Sequence, residues 1–317
     1  PPHSRKDRFG RGRIEERMTK QEEINQLKKE KDAVILAHYY VGPEVQEIAD
    51  YVGDSFNLSK YAAGLANQTL VFCGVSFMGE SGKLLSPEKT VLMPDADADC
   101  PMAHMVQKEE IEQARNRYED LAVVCYINST AEIKSWADVC VTSANAVQIV
   151  KNLPNKNILF IPDKNLGRYV AEQVPEKNVI LVKGFCPVHE QMKAMEIEKL
   201  RKEHPEAKVL AHPECNEALL KQADYIGSTT GIINYTTKSE ADEFIIATEI
   251  GVRYELEKKN PGKRFYFPDT VPVCADMKKI TPDKIINVLK TGDNKAGVRE
   301  DLAAPAKKTL SRMLELA

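Results

Sequence analysis

Apolar residues occur in short blocks separated by stretches of helical period along the whole chain. The run AVILAH (33–38) is followed by Val45, Ile48, Ala49 and Val52 at i, i+3, i+4 and i+7, one helical stripe that Gly53 would stop. LVFCGV (70–75), another helical stretch and TVLMPD (90–95) continue the alternation. Strands without polar alternation are buried on both faces. The pattern therefore predicts an α/β protein with parallel sheets covered by helices on each side. Ahead of the first strand, Thr19-Lys20-Gln21-Glu22 has the form of a capping box and marks the first helix.

The pattern repeats three times. IADYVGDS (48–55) matches WADVCVTS (136–143) and QADYIGS (222–228), with the Ala-Asp pairs 88 and 86 residues apart. The ends of the first strands, AHYY (37–40), CYIN (125–128) and AHPE (211–214), keep the same register, and Gly79, Gly167 and Gly251 after the third strands hold a similar spacing. A period this long exceeds that of a solenoid, so each copy is expected to be a small domain rather than a stacking unit. The expected organisation is three homologous three-layer α/β/α domains with small parallel sheets around a pseudo-threefold axis. Their expected spans are 19–108, 109–192 and 193–299, with a C-terminal helix at 300–317 packing on the first repeat. Residues 1–18 open on PPHSRKDRFGRGRIEER, which is basic and lacks the apolar stretch of a signal peptide. They read as a vector remnant or disordered leader.

Composition narrows the function. With 43% hydrophobic and 29% charged residues and a net charge of −3, the chain offers no basic footprint for nucleic acid. No apolar run reaches the ~18 residues of a membrane span, so no membrane partner and a cytoplasmic location are expected. Seven cysteines without an export signal argue against a disulfide framework. Cys100, Cys186 and Cys274 are 86 and 88 residues apart, each just beyond the fourth strand of its repeat. The two Cys-Pro pairs at 100–101 and 186–187 thus recur because the domain recurs. Cys73, Cys125, Cys140 and Cys215 lack threefold partners, and burial accounts for them.

Ligands of open parallel sheets sit beyond the carboxyl ends of the strands, and three such sheets would point those ends at one cavity. The candidates fall into sets of three: His38/Tyr126/His212, Tyr40/Asn128/Glu214, Ser55/Ser143/Ser228 and Cys100/Cys186/Cys274. Three thiolates suit a soft metal. Structural zinc takes four ligands, and an iron–sulfur cluster usually takes four cysteines; three would leave one iron open as a Lewis acid. The serines lead into helices, whose N-termini favour phosphate or carboxylate but equally need ordinary caps. His212 and Glu214 share a face at i and i+2, an arrangement suited to acid–base work, and Tyr40 and Tyr126 could donate from a phenol.

At these residues the chain resembles the quinolinate synthase family. The similar motifs include AHYY (37–40), GDS (53–55), GVSFMGE (74–80), CPMA (100–103), YINST (126–130), TSANAV (142–147) and PDKNLGRYVAE (162–172). They continue through CPVH (186–189), HPEC (212–215), GST (227–229) and ATEIG (247–251) to MKK (277–279). The resemblance implies a triangular fold of three domains about a central [4Fe–4S] cluster held by Cys100, Cys186 and Cys274. It implies condensation of iminoaspartate with dihydroxyacetone phosphate to quinolinate, with loss of phosphate and water. By the same resemblance His38, Ser55, Tyr126, Asn128, Ser143, His212, Glu214, Ser228 and Thr229 bind substrate, and Tyr40, His212 and Glu214 are catalytic. Phe77 and Met78 would close the pocket wall, and a functional link to L-aspartate oxidase is implied. The competing readings are a zinc-dependent lyase on the same thiolates and a non-catalytic binder of phosphorylated metabolites.

Overall fold

The computed structural model describes residues 18–317; the leader expectation for 1–17 lies outside the described residues. Twelve strands form three four-stranded sheets. The first holds β1 (Ala33–His38), β2 (Tyr51–Gly53), β3 (Thr69–Cys73) and β4 (Thr90–Leu92) in the order β2-β1-β3-β4. The second holds β5 (Leu121–Tyr126), β6 (Val139–Val141), β7 (Asn157–Ile161) and β8 (Asn178–Leu181) in the order β6-β5-β7-β8. The third holds β9 (Lys208–Ala211), β10 (Tyr225–Ile226), β11 (Glu243–Ala247) and β12 (Arg264–Tyr266) in the order β10-β9-β11-β12. All pairings between these strands are parallel. In each sheet the chain reverses direction across the first strand, a switch point where ligands of open sheets bind.

The layers follow from burial. All six residues of β1 are buried, as a strand covered on both faces requires. In the third sheet Val209, Ala211, Ile245 and Ala247 pack with Met192, Ile197 and Leu200, while Leu210, Phe244 and Ile246 pack with Ile232, Ile233 and Leu256. Alternate residues thus feed two separate cores. The first and second sheets share one continuous core.

The repeated Ala-Asp pairs have a structural cause. Asp50, Asp138 and Asp224 each place Oδ2 2.7–2.8 Å from a first-strand amide, those of Ile35, Val123 and Val209. Their own N–H groups donate to the carbonyls of the same three residues. Each aspartate clamps the chain onto its first strand just before the edge strand begins.

That clamp overturns the expected helix running to Gly53. The helix is only Pro43–Ile48; Ala49 is extended, and Tyr51 and Val52 pair with Leu36 and Ala37 of β1. The capping box at Thr19 and Glu22 is present. The C-terminal helix, Glu300–Leu316, does not pack on the first unit alone. It lies against the helix Ala131–Ser135 and β6 of the second unit and the helix Ser76–Leu85 of the first. Its buried stripe Ala306, Thr309, Leu310 and Met313 fills the seam between them.

Candidate active site

The strand ends converge on one cavity of about 280 Å³ lined by all three units. His38 ends β1 and Tyr40 lies just beyond it, Tyr126 ends β5 and Asn128 lies just beyond it, and His212 and Glu214 follow β9. The histidines are held alike: Tyr40 N–H donates to His38 Nδ1 at 3.1 Å, and Glu214 N–H donates to His212 Nδ1 at 3.2 Å. With Nδ1 accepting, the neutral ring carries its proton on Nε2. Burial depresses both imidazoles to about 3, so they serve as neutral donors near pH 7. Tyr126, their counterpart in the second unit, is also a neutral donor. Its O–H reaches Glu214 Oε1 at 2.5 Å.

Glu214 is 3% exposed. Burial alone would raise its carboxyl, but the His189 and His212 rings and the hydrogen bonds from His189 and Tyr126 outweigh it and hold the group well below the usual range. It therefore stands as an ionised acceptor. His189 Nδ1 lies 2.8 Å from Glu214 Oε2 and 3.1 Å from Cys186 Sγ. Buried Asn128 Oδ1 has no protein partner, leaving an acceptor for a ligand donor.

The three cysteines sit at similar places. Cys100 precedes the one-turn helix Pro101–His104, and Cys186 precedes the turn Pro187–Glu190. Cys274 is followed by Ala275 and Asp276 and then the turn Met277–Lys279. Backbone amides of the following turn favour each thiolate: Ala103 and Met102, His189, and Met277 and Asp276. The prolines occupy the first helical position, where the missing N–H costs nothing. Burial nonetheless raises all three thiols, Cys100 to about 12. The loops hold one another: Asp99 N–H donates to Asp276 Oδ1 at 3.2 Å, and Phe185 N–H to Met105 Sδ at 3.4 Å. Glu249, fully buried, accepts from Cys274 N–H at 2.9 Å and Lys278 Nζ at 2.8 Å.

Of the serines, Ser55 opens the helix Ser55–Gly64 and lines the cavity. Ser143 lines it too and lies 3.2 Å from His212 Nε2, but it does not start a helix, since Asn145 caps the next one. Ser228 is not on the cavity wall: its hydroxyl caps the helix Thr229–Lys238 by accepting from Gly231 N–H, and Thr229 takes the lining position. Phe77 closes the wall, whereas Met78 faces a small pocket behind it. Sequence reading assigned no role to His189, Glu249, Asp54 or Thr142, all on the wall. His189 had a signal, standing one helical turn after Cys186.

Fold and cavity define a triplicated α/β/α protein whose three units enclose one cavity that carries a thiol from each of them. The chain belongs to the quinolinate synthetase A protein (NadA) family, whose profile matches residues 22–315. It is 54% identical over 294 residues to the quinolinate synthase of Fusobacterium nucleatum, covering 93% of this chain and 98% of that one. It is 50% identical over 295 residues to that of Clostridioides difficile, covering 93% and 97%. To that of Aquifex aeolicus it is 46% identical over 302 residues, covering 94% of each. No helix among the described residues is long and apolar enough to cross a membrane.

Proposed function

We propose that this chain is a quinolinate synthase that condenses iminoaspartate with dihydroxyacetone phosphate, releasing phosphate and water. Its support is the delivery of one cysteine from each unit to a single anion-suited cavity in a chain of this family. The donor set fits a [4Fe–4S] cluster held by Cys100, Cys186 and Cys274, because three thiolates cover three irons. When bound, the cluster supplies a Lewis-acidic iron with an open position.

The chain's own groups account for binding and proton handling. His38 and His212 are neutral donors suited to carboxylate and phosphate oxygens, while Tyr126 gives its one hydrogen to Glu214 and turns its phenol oxygen to the ligand as an acceptor. Ser55 and Thr229 stand at the first positions of ten-residue helices, where amides and the helix dipole favour an anion. Glu214 is the ionised acceptor for a substrate proton, and Tyr40 is the second proton-handling group. Phe77, Val75 and Met277 give the wall apolar surface that excludes water. A functional link to L-aspartate oxidase, as source of the imine, and a cytoplasmic setting belong to the same proposal.

The test is anaerobic reconstitution followed by iron and sulfide analysis and a quinolinate assay with both substrates. About four irons per chain and quinolinate formation are expected, with both lost together in Cys186→Ala. A loaded protein that forms no quinolinate, or a Cys186→Ala variant that still does, overturns the proposal. Activity supported by zinc alone would replace it with the lyase reading.

A further inference from the structure

Six residues beyond two of the site residues stands a buried donor that clasps the turn carrying each of them. Gln46 follows Tyr40, and Lys134 follows Asn128, 88 residues later in the register of the repeat. Gln46 Nε2 donates to the carbonyls of Tyr39 and Val41 at 3.0 and 2.9 Å. Lys134 Nζ donates to the carbonyls of Ile127, at 2.8 Å, and Ser129. Each donor thus holds the carbonyl before and the carbonyl after its site residue. The third unit has Leu220 at this position, and there Asn165 of the second unit donates to the Glu214 carbonyl at 3.2 Å.

Repetition with different chemistry separates what the position needs from what it tolerates. A neutral amide and an ammonium do not share a charge; they share at least two hydrogens aimed at two carbonyls. Lys134 is wholly buried on the helix Ala131–Ser135, a costly place for a cation whose hydrogen-bond partners are uncharged. The Phe77 ring, on the cavity wall, lies against the ammonium with its centre 5.4 Å away. Ile127 and Ser129 are buried, while Asn128 between them lines the cavity with an Oδ1 that has no protein partner. We propose that Lys134 is a positioning residue: by holding both carbonyls that flank Asn128, it fixes the turn that offers Asn128 Oδ1 to an N–H or O–H of the ligand.

Met and Gln are close in shape and neither is charged, so Lys134→Met and Lys134→Gln differ chiefly in their donors. Gln46 shows that an amide of that length reaches both carbonyls from this position. The amides of Ser129 and Thr130 are bonded to the carbonyls of Ile127 and Ala103. In the full chain their hydrogen exchange is expected to quicken by about 10-fold in Lys134→Met and to stay near the parent in Lys134→Gln. Unchanged exchange in Lys134→Met, or equal quickening in both variants, overturns the inference.

The kinetic arm of the test rests on the proposed condensation, whereas the exchange arm does not. In the reconstituted enzyme, Lys134→Met should raise KM for at least one substrate by about 3–10-fold, with kcat and iron content little changed, and Lys134→Gln should restore KM. In an Asn128→Ala background, Lys134→Met should raise KM little further, because the contact it supports is already gone. Parental KM in Lys134→Met, or fully additive losses in the double variant, also overturns the inference. A parent inactive in every preparation would refute the condensation reading instead, while exchange in the turn would still decide the role of Lys134. If Lys134→Met does not fold, Lys134→Gln decides alone: folding with parental exchange supports the clasp, and failure of either overturns it.

Discussion

At the residue scale, the chemistry rests on groups whose charge is set by burial and by neighbours. Glu214 accepts from two donors, Tyr126 O–H and His189 Nδ1–H. Glu214→Gln can keep only one of those bonds, since its amide would meet a donor on the other side. Turnover is expected to fall by at least about 10²-fold while the iron per chain stays unchanged, checked by assay and metal analysis. Loss of iron would show that Glu214 supports the thiol loops instead. His38 and His212 give a pH signature. Each has its folded value depressed from 6.5 to about 3, so unfolded chains bind a proton that folded ones refuse. Their contribution is complete above pH 6.5 and is lost as pH falls toward 3, at about 1.4 kcal/mol per histidine per pH unit. Urea midpoints of the metal-free protein should fall across that window, and more gently in His38→Asn, whose Oδ1 can still accept from Tyr40 N–H. An unchanged slope would mean that His38 is not held neutral.

At the element scale, the site depends on short turns pinned by close backbone contacts. Gly184 leads into the Cys186 turn, and a Cβ there would lie 2.1 Å from Pro162 O, a backbone atom that cannot swing aside. Gly184→Ala is therefore expected to displace that turn, destabilise the fold by about 1–3 kcal/mol and lower the iron retained after desalting. Gly64, at the end of its helix with nothing within 4 Å, is the control: its alanine variant should be neutral or slightly stabilising in the same melts. The same scale explains where periodicity misled. Val45, Ile48, Ala49 and Val52 do fit a helical stripe, yet the Asp50 clamp on Ile35 ends the helix and gives Val52 to a strand. Periodicity records which residues are apolar. It carries no information about a side chain that captures a backbone amide from another strand. Lys89, Lys177 and Lys263 behave in the same way, being 88 and 86 residues apart. Each points its ammonium at carbonyls near the end of a helix in its own unit.

At the scale of the whole molecule, the triplication was the most legible feature, because a duplicated fold preserves register even where side chains diverge. It placed three cysteines and three strand ends in one cavity without reference to any contact. It did not reveal Thr248, which meets Tyr40 of another unit, or Glu249, which accepts from Cys274 N–H within its own unit. The convergence also has a thermodynamic consequence. All three thiols are pushed up by burial, Cys100 to about 12, and the ionised Glu214 raises Cys100 and Cys186 further. Metal-free protein therefore holds all three protons beyond the ordinary thiol range, Cys100 and Cys186 most strongly, and binding as thiolates must release them. Anaerobic loading in weak buffer is expected to release up to three protons per chain, with at least the two from Cys100 and Cys186 still released at pH 9, where ordinary thiols near 8.5 would already be largely ionised. Cys100→Ser, Cys186→Ser and Cys274→Ser should each reduce both loading and proton release. Release that falls below two protons by pH 9 would show thiolates already formed in the empty site, contrary to the desolvation that pushes Cys100 and Cys186 up.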